Sequence, residues 1–232
     1  MAYFNSRLNS IKTLYFIMMK FILVIAAVVF SASTLVAQKD AKTILDEVSA
    51  KTKTFKSMAA DFQFSMVNEE MDINEKNDGT IKVKGQKYVV NLPGPGVTVF
   101  SNGETIWNYM KDGNQVTITS VEDSENDLMD PSSIFSIYKK GFRSELVGET
   151  SENGKTVYKI NLFPDSEEYQ VTKIEVAIDK ATMMLSSAKL YATDDNIYSI
   201  LVKKLETNKD FPDSDFVFDA SKYGDVEVID FR

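Results

Sequence analysis

The sequence predicts a mainly β protein, an antiparallel meander open or nearly closed into a barrel, on three observations. After Phe55 the apolar residues stop recurring at helical spacing and begin to alternate with polar ones. Runs of four to ten such residues follow one another at short, regular intervals, which is the rhythm of hairpin-connected strands. The breaks between them are Pro-Gly, Asn-Gly and Asp-Gly, the residues that tight turns select.

The first 37 residues stand apart from this pattern. They carry Arg7, Lys12 and Lys20 and no acid, and Lys20 precedes ten apolar residues, Phe21 to Phe30. Small residues follow as far as Ala37. A basic start, a short apolar run and a small-residue exit describe a secretory signal peptide, with cleavage expected between Ala37 and Gln38. A membrane span needs roughly 20 apolar residues, so the run is too short to anchor the chain. Met18-Met19-Lys20 makes a normal signal start, and 1–17 reads as an upstream extension. Residues 38–232 are expected to form one domain with 23 Lys+Arg against 34 Asp+Glu, a net charge of −11.

Ala41, Ile44, Leu45 and Val48 fall at i, i+3, i+4 and i+7, one apolar face of a helix for which Asp40 is a suitable N-cap. Phe62, Phe64 and Met66 then alternate with Asp61, Gln63 and Ser65 as a strand. Further strands are expected over 79–84, 88–92, 97–101, 104–109 and 115–119, and again over 142–149, 155–163, 171–178, 183–192 and 197–207. Asn102-Gly103 and Asn153-Gly154 both predict type I′ hairpins. Between the two sets of strands, Asp130-Pro131 opens a short helix that Gly141 closes. Its Ile134, Phe135, Ile137 and Tyr138 are too apolar for an exposed helix. The segment is therefore either a core connector or a lid across an apolar mouth.

Composition removes much chemistry. The chain has no His and no Cys, so no disulfide, thiolate nucleophile, His base or His/Cys metal site can form. Its formal net charge of −8 argues against nucleic acid, whose phosphates need a basic surface. The acidic pairs Glu69-Glu70, Glu167-Glu168 and Asp194-Asp195 lie at expected turns, where solvated carboxylates are the default. Asp213-Ser214-Asp215 lacks the spaced oxygens and central Gly of an EF-hand. No catalytic residue, no metal and no cofactor is expected.

Val97 to Tyr109, with Ser101-Asn102-Gly103 and Ile106-Trp107-Asn108-Tyr109, followed by Gln115-Val116, resembles the central hairpin of the LolA-type periplasmic outer-membrane lipoprotein carriers. Ser57 to Phe62, Gly79 to Lys84, and the ending Phe216-Val217-Phe218 … Gly224-Asp225-Val226-Glu227-Val228 also resemble that family in order. One departure is Lys84-Gly85-Gln86, where the family has Lys-Arg-Pro and its arginine helps to latch a lid. The resemblance implies an incomplete, half-open β-barrel with an N-terminal helix and a short lid helix. It implies an apolar cavity lined by Phe62, Phe64, Met66, Trp107 and Tyr109, with Ile134, Phe135, Ile137 and Tyr138 on the lid. The implied function is a periplasmic carrier of acylated lipoproteins from the inner to the outer membrane, expected to be monomeric. Its implied partners are an inner-membrane lipoprotein-releasing ABC transporter and an outer-membrane acceptor. Two other readings stay open, a lipid or hydrophobic-ligand sensor on the same fold and a carboxylate-based hydrolase.

Overall fold

A computed structural model describes residues 39–122, 137–139 and 141–232. Helix α1 (Ala41–Thr52) begins where the sequence places it, with the Asp40 carboxylate accepting from the Thr43 backbone N–H at 2.6 Å. Ala41, Ile44, Leu45 and Val48 are all buried, as helical periodicity requires. Two antiparallel meanders follow. The first comprises β1 (Met58–Asn68), β2 (Ile73–Lys84), β3 (Lys87–Leu92), β4 (Val97–Ser101), β5 (Thr105–Met110) and β6 (Gln115–Ser120). The second comprises β7 (Phe142–Glu152), β8 (Lys155–Pro164), β9 (Val171–Asp179), β10 (Met184–Ala192) and β11 (Ile197–Thr207). A last short strand, β12 (Glu227–Asp230), follows two 3₁₀ turns, Asp213–Phe216 and Ala220–Lys222.

All twelve strands form one sheet, in the order β12-β6-β5-β4-β3-β2-β1-β11-β10-β9-β8-β7. The sheet is not closed into a barrel, and β12 and β7 are its edges. The meanders join through β1 and β11, whose ladder runs from Met58↔Thr207 to Val67↔Ile197 with one irregularity at Asp61/Phe62. β12 pairs parallel to β6, from Glu227↔Gln115 to Asp230↔Ile118. The sequence does not announce that strand, because four residues are too few to establish alternation. β2 begins six residues before the expected Gly79, through a polar stretch that only its pairing with β1 makes a strand.

Turn chemistry decides the hairpins. Asn153 and Gly154 have φ of 50° and 77°, both left-handed, as type I′ demands. Asn102-Gly103 departs from expectation, since only Gly103 has a positive φ, at 92°. Asn102 instead turns the chain with its side chain, whose Oδ1 accepts from the backbone N–H of Glu104 (2.9 Å) and Thr105 (2.8 Å). Gly85 has φ 61° at the first central position of the two-residue β2–β3 turn. Glycine fits that conformation without strain, whereas an arginine would be strained there.

Candidate functional site

Directly paired residues in a sheet point to the same side, so the ladders assign every strand residue to a face. α1 defines the front face. It packs Ile44, Leu45 and Val48 into one cluster with Tyr158, Ile160, Leu162, Ile174 and Ile178, over the second meander. Ile174 pairs with Leu190, Leu190 with Tyr198, and Tyr198 with Met66. The same front side therefore carries Phe62, Phe64 and Met66. Across β2 to β4 it continues through Ile81↔Val90 and Val90↔Val99. Phe64 and Tyr198 stack with centroids 6.2 Å apart.

The result is a continuous apolar tract outside the footprint of α1. Phe62 is buried, and Phe64, Met66, Ile81, Val90, Val99 and Ile200 are half-buried. Over β10, β11 and β1 to β5, Glu75 is the single charged side chain at a front position, and it stands directly opposite Met66 on β2. The nine residues from Met58 to Met66 extend about 27 Å, and seven adjacent strands span about 29 Å. A membrane leaflet's acyl layer is about 15 Å deep, half the hydrocarbon core. Such a surface has the length for a fatty chain and the width for several side by side.

Trp107 and Tyr109 are not on this surface. Trp107 pairs with Phe100 and Asn108 with Val99, so Trp107, Tyr109 and Phe100 point rearward. The five residues expected to line one cavity thus divide, three in front and two behind. Alternation correctly puts Trp107 and Tyr109 together, but it does not relate the face of β5 to that of β1 across four turns.

The rear of the first meander is covered by the chain after β11. Tyr109 lies 5.7 Å from Phe218 and 4.4 Å from Tyr223, ring centre to ring centre, and Phe100 lies 5.9 Å from Phe218. Phe216 is fully buried beneath this strap. Asp213 and Asp215, which superficially suggest a calcium loop, are taken up by lysines. Asp215 accepts from Lys82 at 2.8 Å, and Asp213 from Lys84 at 2.9 Å and Lys87 at 2.7 Å. Lys84 and Lys87 are a cross-strand pair, a repulsive placement of like charges that one carboxylate between them cancels. Bonding to Lys87 and then Lys84 holds the Asp213 carboxyl down at about 2. Among the described residues no group of acidic side chains is arranged to hold a metal ion.

The expected lid residues Ile134 and Phe135, and the expected cleavage site Ala37-Gln38, lie outside the described residues. Ile137 belongs to a 3₁₀ turn, Ile137–Lys139. Tyr138 is buried in the α1 cluster, and its hydroxyl donates to Asp46 Oδ1 at 2.8 Å. Asp46 also accepts from Lys42 at 2.6 Å and lies 3.5 Å from Lys139. Bonding to Lys42 and then to Tyr138 lowers the Asp46 carboxyl to about 2. Burial, reinforced by Asp46, pushes the Tyr138 phenol up to about 12. The bond from Tyr138 holds the 3₁₀ turn Ile137–Lys139 against α1.

A polar cleft of about 190 Å³ opens on the rear of the second meander, floored by Ser65, Ser187 and Ser199. Its carboxylates are already engaged, Glu152 with Lys159 and Glu175 with Lys173 at 2.7 Å. It is the polar counterpart of the front tract. Among the described residues no helix is long and apolar enough to cross a membrane.

Comparison with known proteins agrees with this geometry. A protein of Thermus thermophilus, described as an uncharacterized conserved protein, superposes with a TM-score of 0.56 at 14% identity, covering 82% of this chain and 98% of its own. A putative outer membrane lipoprotein-sorting protein domain from Vibrio parahaemolyticus is 15% identical, with a TM-score of 0.44 over 75% of this chain and 94% of its own. A LolA superfamily protein from Nitrosomonas europaea is 12% identical, with a TM-score of 0.43 over 79% of this chain and 100% of its own. No curated protein sequence matches the chain. The family model described as outer membrane lipoprotein carrier protein LolA matches residues 32–193, well over half of the sequence. The chain therefore belongs to the LolA family of outer membrane lipoprotein carrier proteins.

Proposed function

We propose that the protein is a periplasmic carrier that shelters lipoprotein acyl chains against its front face and ferries them from the inner to the outer membrane, without catalysis. The observation that carries this is the apolar front tract, with Glu75 as its single charge and a size suited to several fatty chains. In this reading residues 1–37 are a signal peptide removed on export. Cargo is received from an inner-membrane lipoprotein-releasing ABC transporter and surrendered to an outer-membrane acceptor. Each methylene withdrawn from water contributes about 0.8 kcal/mol, so bare chains would never leave a perfect pocket. A half-buried surface of Phe, Met, Ile and Val, already in contact with itself when empty, offsets part of that gain and keeps binding reversible.

Native mass spectrometry of the protein purified from a periplasmic extract tests the reading. Acylated proteins should accompany it, and mutating Phe64→Glu, which puts a charge on the tract, should strip them. Copurification of free lipid alone would favour a lipid sensor, and recovery of neither would reject the carrier.

A further inference from the structure

Gly79 stands on β2 directly opposite Phe62, on the front face and near the middle of the tract. Its φ is not in the left-handed region, so the backbone does not ask for glycine there. Space does. A Cβ built on Gly79 would lie 2.7 Å from Phe62 Cζ, 2.9 Å from Phe62 Cε2 and 2.8 Å from Leu92 Cδ2. Real Cβ atoms do not approach so closely, so the Phe62 ring rests on the bare glycine backbone and meets Leu92 of β3 across it. Phe62 is buried, at 7% exposed, whereas its neighbours Phe64 and Met66 are half-buried, as suits a ring laid against the sheet.

A glycine beneath a cross-strand aromatic ring is a known stabilising pair. Here the pair lies where the front tract passes from the β10-β11-β1 side to the β3-β4-β5 side. We propose that Gly79 sets the substrate class of the acyl site. By letting Phe62 lie flat, it keeps one undivided floor wide enough for a ligand with two or more chains. A methyl group at 79 would lift the ring and Leu92 into the ligand space and leave two narrower troughs, each adequate for one chain. This inference rests on the carrier reading.

The test uses the mature chain and two synthetic lipopeptides of the same sequence, one with a single palmitoyl group and one with a diacylglyceryl group. Gly79→Ala should weaken two-chain binding by roughly tenfold, the contact of about two methylenes, and single-chain binding by less than about threefold on the same scale. Phe62→Leu combined with Gly79→Ala should restore two-chain binding, because the smaller side chain leaves the floor low. A merely destabilising effect would weaken both ligands alike and would not be rescued, so either result overturns the proposal. If Gly79→Ala does not fold, Phe62→Trp bulks the same point from the other strand. It must then reproduce the selective loss, and equal loss of both ligands overturns the proposal. Failure of the unmutated protein to bind either lipopeptide would instead reject the carrier reading itself.

Discussion

At the scale of the residue, the instructive group is Asp46, which gathers Lys42, Tyr138 and Lys139 at the exposed edge of α1. Its carboxyl is lowered to about 2 in the folded protein, against about 3.9 in an unfolded chain. The folded state therefore binds fewer protons than the unfolded one between those values. The stability it contributes is complete above about pH 4 and is lost as pH falls towards 2. Tyr138 has the opposite sense. Its phenol is raised to about 12, so its contribution is complete below about pH 10 and disappears as pH rises through 12. Melting curves of Asp46→Asn and the unmutated protein should converge at pH 2 and separate above pH 4. A constant offset across that range would mean that the carboxylate is not linked to folding. The sequence betrays Asp40 as a cap because capping is local. It does not betray Asp46–Tyr138, whose partners are 92 positions apart. Asn102 and Asn153 make the same point from the other side. Both precede glycine, yet Asn153 supplies its backbone to the turn and Asn102 its side chain, a choice set by the loop length that each pair of strands imposes.

At the scale of the element, the strap after β11 has no regular structure beyond its 3₁₀ turns, yet it closes the rear of the first meander. Phe216 is fully enclosed, with the Phe211 ring of the strap 6.4 Å from its own, and truncating it leaves a cavity that its close-packed surroundings fill only in part. Phe216→Ala is expected to cost about 3–5 kcal/mol in urea unfolding, while lipopeptide affinity of the folded fraction stays unchanged, because the front face is untouched. A large loss of affinity in that variant would show that the two faces are coupled through the sheet. Trp107 and Tyr109 belong to this rear layer, and their expected place in front illustrates what a sequence withholds. Period two reveals that a strand has an apolar side. When both sides of β3 to β5 are apolar, one under the strap and one on the front tract, either side qualifies, and only the register decides. The fold, the helix and most strand limits are legible, and so is the shared face of Phe62, Phe64 and Met66. Gly79, Leu92 and Tyr198 join that face only through pairing across strands.

At the scale of the whole molecule, the sheet is two meanders sewn together by one ladder. Within each meander the partners are near in sequence, whereas β1 and β11 are some 130 residues or more apart. Non-local pairing of this kind folds slowly, in milliseconds to seconds or longer. Refolding followed by amide protection should find β3 to β5 protected before β1 and β11. Simultaneous protection of all strands would refute that order. The same stitch carries a consequence for how the protein is made. Translation delivers the chain from the amino end, so β1 waits with Phe62, Phe64 and Met66 unpaired on one side until nearly the last strand has emerged. During that interval the apolar front of β1 faces water with no β11 beside it. The unfinished chain thus needs shelter while it is being made, and synthesis that stops short of β11 leaves its two meanders unjoined.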